Sequence, residues 1–96
     1  MSNYGYILRV HRHSIQVASD AQCVSVAVGA IFIDAVWQAE RKAISLYFEA
    51  PTPVKTFQDR YFITLPTGAE IPYHAAHRKT VCIDGFNVFH VYEVKK

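Results

Sequence analysis

The chain is poor in most of what makes a protein's chemistry legible. It has two cysteines, one tryptophan, one methionine and four glycines in 96 residues. Two cysteines do not make the disulfide framework of a small secreted domain. Cys23 and Cys82 each sit inside an apolar run, and both are expected to be small, inert, buried side chains. The glycines are isolated. Thr67-Gly68-Ala69-Glu70 is too short for a phosphate-cradling loop. Charge is also sparse, with 19% charged residues and a net charge of +2. A polyanion binder or a membrane-surface protein normally carries a strong basic excess or stripe. Asp20, Asp34, Glu40, Glu49, Asp59, Glu70, Asp84 and Glu93 are scattered singly, so no local pair suggests an acid/base dyad.

Long apolar runs are missing as well. The stretch from Val24 to Trp37 is interrupted by Ser25, Gly29 and Asp34 and is too short to span a bilayer. Met1 to Arg9 has no apolar signal-peptide core. A soluble, cytoplasmic chain without a membrane partner is therefore expected.

What is present is apolar and aromatic. Apolar residues make up 51% and aromatics 14%, a composition that folds. The length suits one domain spanning residues 1–96. β-branched and aromatic residues fit pleated, half-buried surfaces, and they recur with period two along the chain. Lys79 to Val94 reads as two such runs broken by Asp84-Gly85, the strongest short-range hairpin signal here. Tyr4–Val10 and Ser14–Ala18 read as a first hairpin, with His11-Arg12-His13 as its polar turn. Cys23–Val28 points Val24, Val26 and Val28 inward. Ile31–Trp37 places Ile31, Ile33, Ala35 and Trp37 on one face.

Ala43–Ala50 and Phe57–Leu65 complete the series, closed by Pro51-Thr52-Pro53 and Pro66-Thr67-Gly68. Ala69–His77 reads as loop or a short helical turn. The window Ala35–Leu46 contains good helix formers, but the β-branched and aromatic flanks favour strand–turn–strand. The expected fold is all-β: an antiparallel meander of seven or eight short strands, forming a small sandwich or open barrel with at most one short helix. Val24, Val26, Ile33, Trp37, Leu46, Ile63, Val81, Val88 and at least one of Phe89 and Val91 are expected in its core.

Candidate sites are few. His11 and His13 form an H-x-H pair that an extended strand points to one side, a spacing zinc sites use. His74 and His77 form H-x-x-H. Nothing in the sequence brings these pairs together, and the ordinary reading is polar turns without metal or other cofactor. His90 shares a strand face with Val88 and Tyr92 and reads as a hydrogen-bonded structural residue. Cys82 and His90 are a formal nucleophile–base pair, but the apolar flanks of Cys82 argue against reactivity. Two basic groups remain: Arg9, His11, Arg12 and His13, and then Tyr73, His74, His77 and Arg78. They are the candidate partner-binding residues, since Arg and aromatic side chains anchor interfaces, and the interleaved Tyr4 and Tyr6 would suit a nucleic-acid or acidic-protein patch.

The order of segments resembles a family of small proteins without assigned activity, encoded mostly by bacteriophages and prophages. The resemblance rests on Ile15-Gln16-Val17, on Ala21, Val24, Ser25, Val26 and Val28, and on the strand ending in Trp37. It continues through Thr67-Gly68 and closes on His77, Thr80, Val81, Gly85, Val88, Phe89, His90, Val91, Tyr92 and Glu93. It covers roughly residues 15 to 94. It departs at Pro66, where the family has Gly, and in a longer Ala50–Gln58 connection. It implies a β fold and a phage origin, and it assigns no site.

The functional expectation is a non-enzymatic interaction protein that binds a host protein, such as a transcription, replication or defence factor, in the host cytoplasm. A small module for nucleic acid or a nucleotide-like ligand, using the Arg/His groups, stays open as the alternative. So does the oligomeric state, a dimer included.

Overall fold

Two antiparallel ladders satisfy the backbone of the alternating segments. The computed structural model describes residues 7–95. Its strands are β1 (Ile7–Ile15), β2 (Gln22–Ala27), β3 (Ile31–Gln38), β4 (Ala43–Thr52), β5 (Phe57–Pro66), β6 (Ala76–Cys82) and β7 (Val88–Val94). The strand order is β1-β4-β3 in a three-stranded sheet and β2-β5-β7-β6 in a four-stranded one. No helix occurs among the described residues, and the window Ala35–Leu46 is a strand–turn–strand hairpin. The fold is all-β and is a sandwich, not a closed barrel.

The two sheets meet face to face. Ile44, Leu46, Phe48 and Ala50 of β4 face Val24, Val26, Phe62, Val81 and Val91 of the other sheet in one buried cluster. Phe48 and Phe62 touch edge to face across it, with ring centroids 6.0 Å apart. β1 lies against β2 and β3 against β6, so these pairs form opposite sides of the sandwich.

The path is not a meander. Only β3–β4 and β6–β7 are consecutive strands that also pair. The β2–β3 turn is tight, with the Ala30 N–H donating to the Ala27 carbonyl at 3.0 Å and Gly29 at φ 84°. A turn this short usually makes a hairpin. Here its backbone groups go elsewhere: the Val28 N–H donates to Thr56 at 3.1 Å, and Arg60 donates to the Ala30 carbonyl at 2.8 Å. The chain therefore leaves one sheet and enters the other.

Two register readings are corrected. The expected hairpin Tyr4–Ala18 is instead the single strand β1, paired without interruption from Ile7 to Ile15 along β4. His11-Arg12-His13 does not break it, because a strand needs only that alternate residues suit their own face. The turn comes later, where the Gln22 side-chain amide bonds both the N–H and the carbonyl of Gln16, each at 2.7 Å. Tyr4 and Tyr6 lie outside the described residues.

The second correction is β3. A bulge between Phe32 and Asp34 inserts Ile33 as an extra residue, and one extra residue reverses the phase. Phe32, not Ile33, packs on the core, while Ile33 is 49% exposed. Val28, expected inward, is also exposed. Val24, Val26, Leu46, Ile63, Val81 and Val91 are buried as expected, whereas Trp37 and Val88 are half-buried.

The closing hairpin turns through residues 83–87. Gly85 takes φ 81°, and the Asp84 carboxylate accepts from the Asn87 side-chain amide at 2.9 Å. Both cysteines are exposed and free, against expectation, because each lies on the strand face turned away from the core. β2 and β6 are opposite edges of their sheet, three strand spacings or roughly 14 Å apart. That exceeds the reach of a disulfide.

Phe48→Ala should cost about 3–5 kcal/mol, as an aromatic removed from a close-packed core. Ile33→Ala should stay within about 0.5 kcal/mol, as a surface change. Urea denaturation of the two variants checks this; equal costs would refute the bulge in β3.

Candidate functional site

The two basic groups singled out in the sequence lie on opposite sides of the sandwich. β1 is an edge of the three-stranded sheet on one side, and β6 is an edge of the four-stranded sheet on the other. No single site unites them.

Along β1 the first group divides between two faces. Arg9, His11 and His13 are in register with Ala50, Phe48 and Leu46 and so share the core-side face. His11 Nε2 is hydrogen-bonded with Thr52 Oγ1 at 3.1 Å. His13 packs edge-on against Phe48, with centroids 5.6 Å apart. Burial, and then the neighbouring His11, lowers the pKa of His13. Arg12 faces the other way, in register with Tyr47. On that outer face, Leu8 is in register with Pro51, and Val10 with Glu49, which is in register with Ile31 of β3. Leu8, Val10, Ile31 and Val36 are all exposed there, Val10 at 63%. An antiparallel sheet usually turns a polar face to water, so this apolar patch is a departure.

The second group also separates. Tyr73 and His74 stay in the loop, their rings in contact at a tilt of 52° with centroids 3.8 Å apart, His74 at φ 65°. His77 and Arg78, expected in that loop, belong to β6, where a bulge falls between His77 and Lys79. His77 Nε2 is hydrogen-bonded with Thr80 Oγ1 at 2.9 Å. Thr80 Oγ1 is in turn bonded with His90 Nδ1, and His90 Nε2 with Thr67 Oγ1, both at 2.9 Å. Both ring nitrogens of His90 are thus hydrogen-bonded to threonine hydroxyls. His77 and His90 approach to 6.2 Å between centroids. Among the described residues, no group of three or more His, Cys, Asp or Glu comes together to hold a metal ion.

Arg78 leads to a centre the sequence reading missed. Glu93 accepts from Arg60 Nε and Nη2 at 2.6 and 2.8 Å and from Arg78 Nε at 3.0 Å. Arg60 also lies over the Phe48 ring, 5.1 Å from its centroid. Burial resists ionisation of Glu93, but hydrogen bonds from Arg60 and then Arg78 outweigh it and hold the pKa below the ordinary value. Lys79 pairs with Asp34 at 2.9 Å, joining β6 to β3. Asp34 is likewise lowered, by hydrogen bonds from Lys79 and then the Ala35 backbone. Beside these charges a cleft is lined by Ala30, Ile31, Phe32, Ile33, Arg60, His77 and Arg78.

A family model described as a domain of unknown function, DUF7352, matches residues 7–96. The chain belongs to that family. No curated protein and no solved structure matches it.

The DUF7352 match takes in both surfaces, the outer face of the three-stranded sheet and the cleft. A signal for the missed centre was present. Arg60 is two residues before core Phe62, and Glu93 is two residues after core Val91. Opposite charges, each in phase with the core on different strands, imply a pair.

Glu93→Gln should destabilise the domain by about 1.5–3 kcal/mol, the range for hydrogen bonds to charged groups. A lowered carboxylate pKa stabilises above the unfolded value, near 4.3 for Glu, and that stability is lost as pH falls through the folded value. The difference between wild type and Glu93→Gln should therefore shrink in acid. His13 acts in the same direction, in a window nearer neutrality. Its folded pKa is lowered, so the unfolded chain takes the proton first and stability falls as pH drops through about 6.5. His13→Phe should flatten that part of the profile. Chemical denaturation from neutral to acid pH reads both effects.

Proposed function

We propose that the domain is a phage-encoded interaction protein that binds a host protein and alters its behaviour without catalysis, in the host cytoplasm. The observation that carries this reading is the outer face of the three-stranded sheet. It exposes Leu8, Val10 and Ile31 beside Arg12 and Tyr47. Exposed apolar side chains grouped on one face are a feature of interaction sites, and Arg and Tyr are the residue types that dominate interface energies.

Arg12 stands on the same face as these apolar side chains, so a partner that sets an acidic group beside an apolar contact fits best. β1 is also an edge strand of nine residues without a bulge or proline. Its free edge can accept an added strand from that partner. Glu49 lies in the row between Val10 and Ile31, which sets a carboxylate where a phosphate backbone would have to pass. That weighs against nucleic acid as the partner, as does the near-neutral net charge.

The test compares immobilised wild type with the double variant Val10→Asp, Arg12→Glu on host lysate. Both positions are exposed, so the variant should melt like wild type. A host protein retained by wild type should be lost by the variant. With that partner purified, Arg12→Ala should weaken binding about 30-fold, the effect of a ~2 kcal/mol hot spot. Equal retention by both forms would defeat the reading. So would nucleic acid as the retained species, released steeply by salt.

A further inference from the structure

We propose that the cleft between β3 and β6 is a second binding site, and that it takes a carboxylate carried on a short apolar body. The site is built by two irregularities that meet. β3 is bulged between Phe32 and Asp34, and β6 between His77 and Lys79, and these strands lie against each other across the sandwich. Bulges interrupt the ladder and re-aim side chains, and they recur beside functional sites. The two inserted residues, Ile33 and Arg78, both line the cleft.

Its chemistry is divided. Ile31, Phe32 and Ile33 give an apolar wall, and Arg60, His77 and Arg78 give donors. Each guanidinium carries five N–H groups. Among the described residues, Arg60 uses Nε and Nη2 on Glu93 and Nη1 on the Ala30 carbonyl. Arg78 uses Nε and Nη2 on Glu93. Both retain donors. Arg78 is the more accessible, with its side chain 35% exposed against 15% for Arg60.

Glu93 therefore does not saturate the arginines; it fixes them side by side. A clamp already held in place loses little freedom when a ligand arrives. Among the described residues, Arg60, Arg78 and Lys79 pair with Glu93 and Asp34, three positive charges against two negative. The planar fork of Arg78 matches a carboxylate in two-point contact, and the isoleucines suit a branched aliphatic group beside it. An apolar amino acid at a peptide C-terminus presents this combination, and so does a short free carboxylic acid.

The experiment is a titration of the full chain followed by NMR amide shifts. N-acetyl-leucine should bind in the millimolar range and shift the signals of residues 30–33 and 76–79. N-acetyl-leucinamide, which lacks the charge, should not. Arg78→Gln should weaken N-acetyl-leucine binding by about tenfold or more, as expected for loss of a charge-assisted two-point bond. Ile33→Ser should weaken it too, with Glu93 pairing untouched. A tetrapeptide ending in leucine that binds better than N-acetyl-leucine assigns the site to peptide C-termini; equal binding assigns it to free acids. Three outcomes overturn the proposal: no localised shift with N-acetyl-leucine, equal shifts with its amide, or inorganic phosphate binding as tightly as N-acetyl-leucine. Neither the Val10→Asp, Arg12→Glu variant nor its partner enters this test, so either reading can fail alone.

Discussion

Arg60 sets a full positive charge at the boundary between two apolar sheets. A charge so placed is tolerable only if it is paired and its donors are used, since an unpaired one costs several kcal/mol. Every contact it makes fixes a different part of the fold. The carboxylate of Glu93 ties β5 to β7. The Ala30 carbonyl ties β5 to the turn between β2 and β3. The Phe48 ring ties the four-stranded sheet to the central strand of the other. Glu93 then extends the arrangement to Arg78 and so to β6. The sheets could pack by area alone, but apolar packing is non-directional. The arginine supplies direction: it specifies which end of β3 lies near β6 and where the β2–β3 turn must cross.

That constraint explains which parts of the fold were legible. Alternation is a local property, so the strands could be read from residues such as Val24 and Val26 or Leu46 and Phe48. Strand pairing is not local. The backbone ladder is chemically the same whichever strands share it, and the pattern that suggested a meander fits the observed sandwich equally well. The errors cluster where one residue changes the phase. Nothing in Ile31-Phe32-Ile33-Asp34 announces a bulge, yet the extra residue exposes Ile33 and buries the Phe32 side. β1 failed for another reason. His11-Arg12-His13 looks like a turn by polarity, but histidine is amphipathic, and His13 lies against Phe48 while keeping an open edge.

The candidate residues were legible by type more than by place. Arg12 stands out in the sequence by its chemistry, but its setting comes from Tyr47 across the sheet, which the sequence does not connect to it. Arg78 was picked with Tyr73 and His74, from which a strand boundary separates it; its partner is Glu93, fifteen positions away in the chain. The cysteines were misplaced because apolar neighbours in a strand argue for burial of only one face. Cys23 falls beside buried Val24 and Cys82 beside buried Val81, each one step out of phase with the core.

The two surfaces are not remote from each other. Val10, Glu49 and Ile31 form one row across the outer face of the three-stranded sheet, and Ile31 also lines the cleft. A partner spread over that row reaches the mouth of the cleft at its β3 end. Arg12 lies on the face alone and Arg78 in the cleft alone, so charges at these two positions act separately. Ile31 belongs to both. Its exposed side chain contributes little to the stability of the fold, so a change there would test both proposals with little effect on folding. The edge of β3 is thus where the two proposed kinds of recognition would adjoin, since the bulged Ile33 lines the cleft and Ile31 lies on both surfaces.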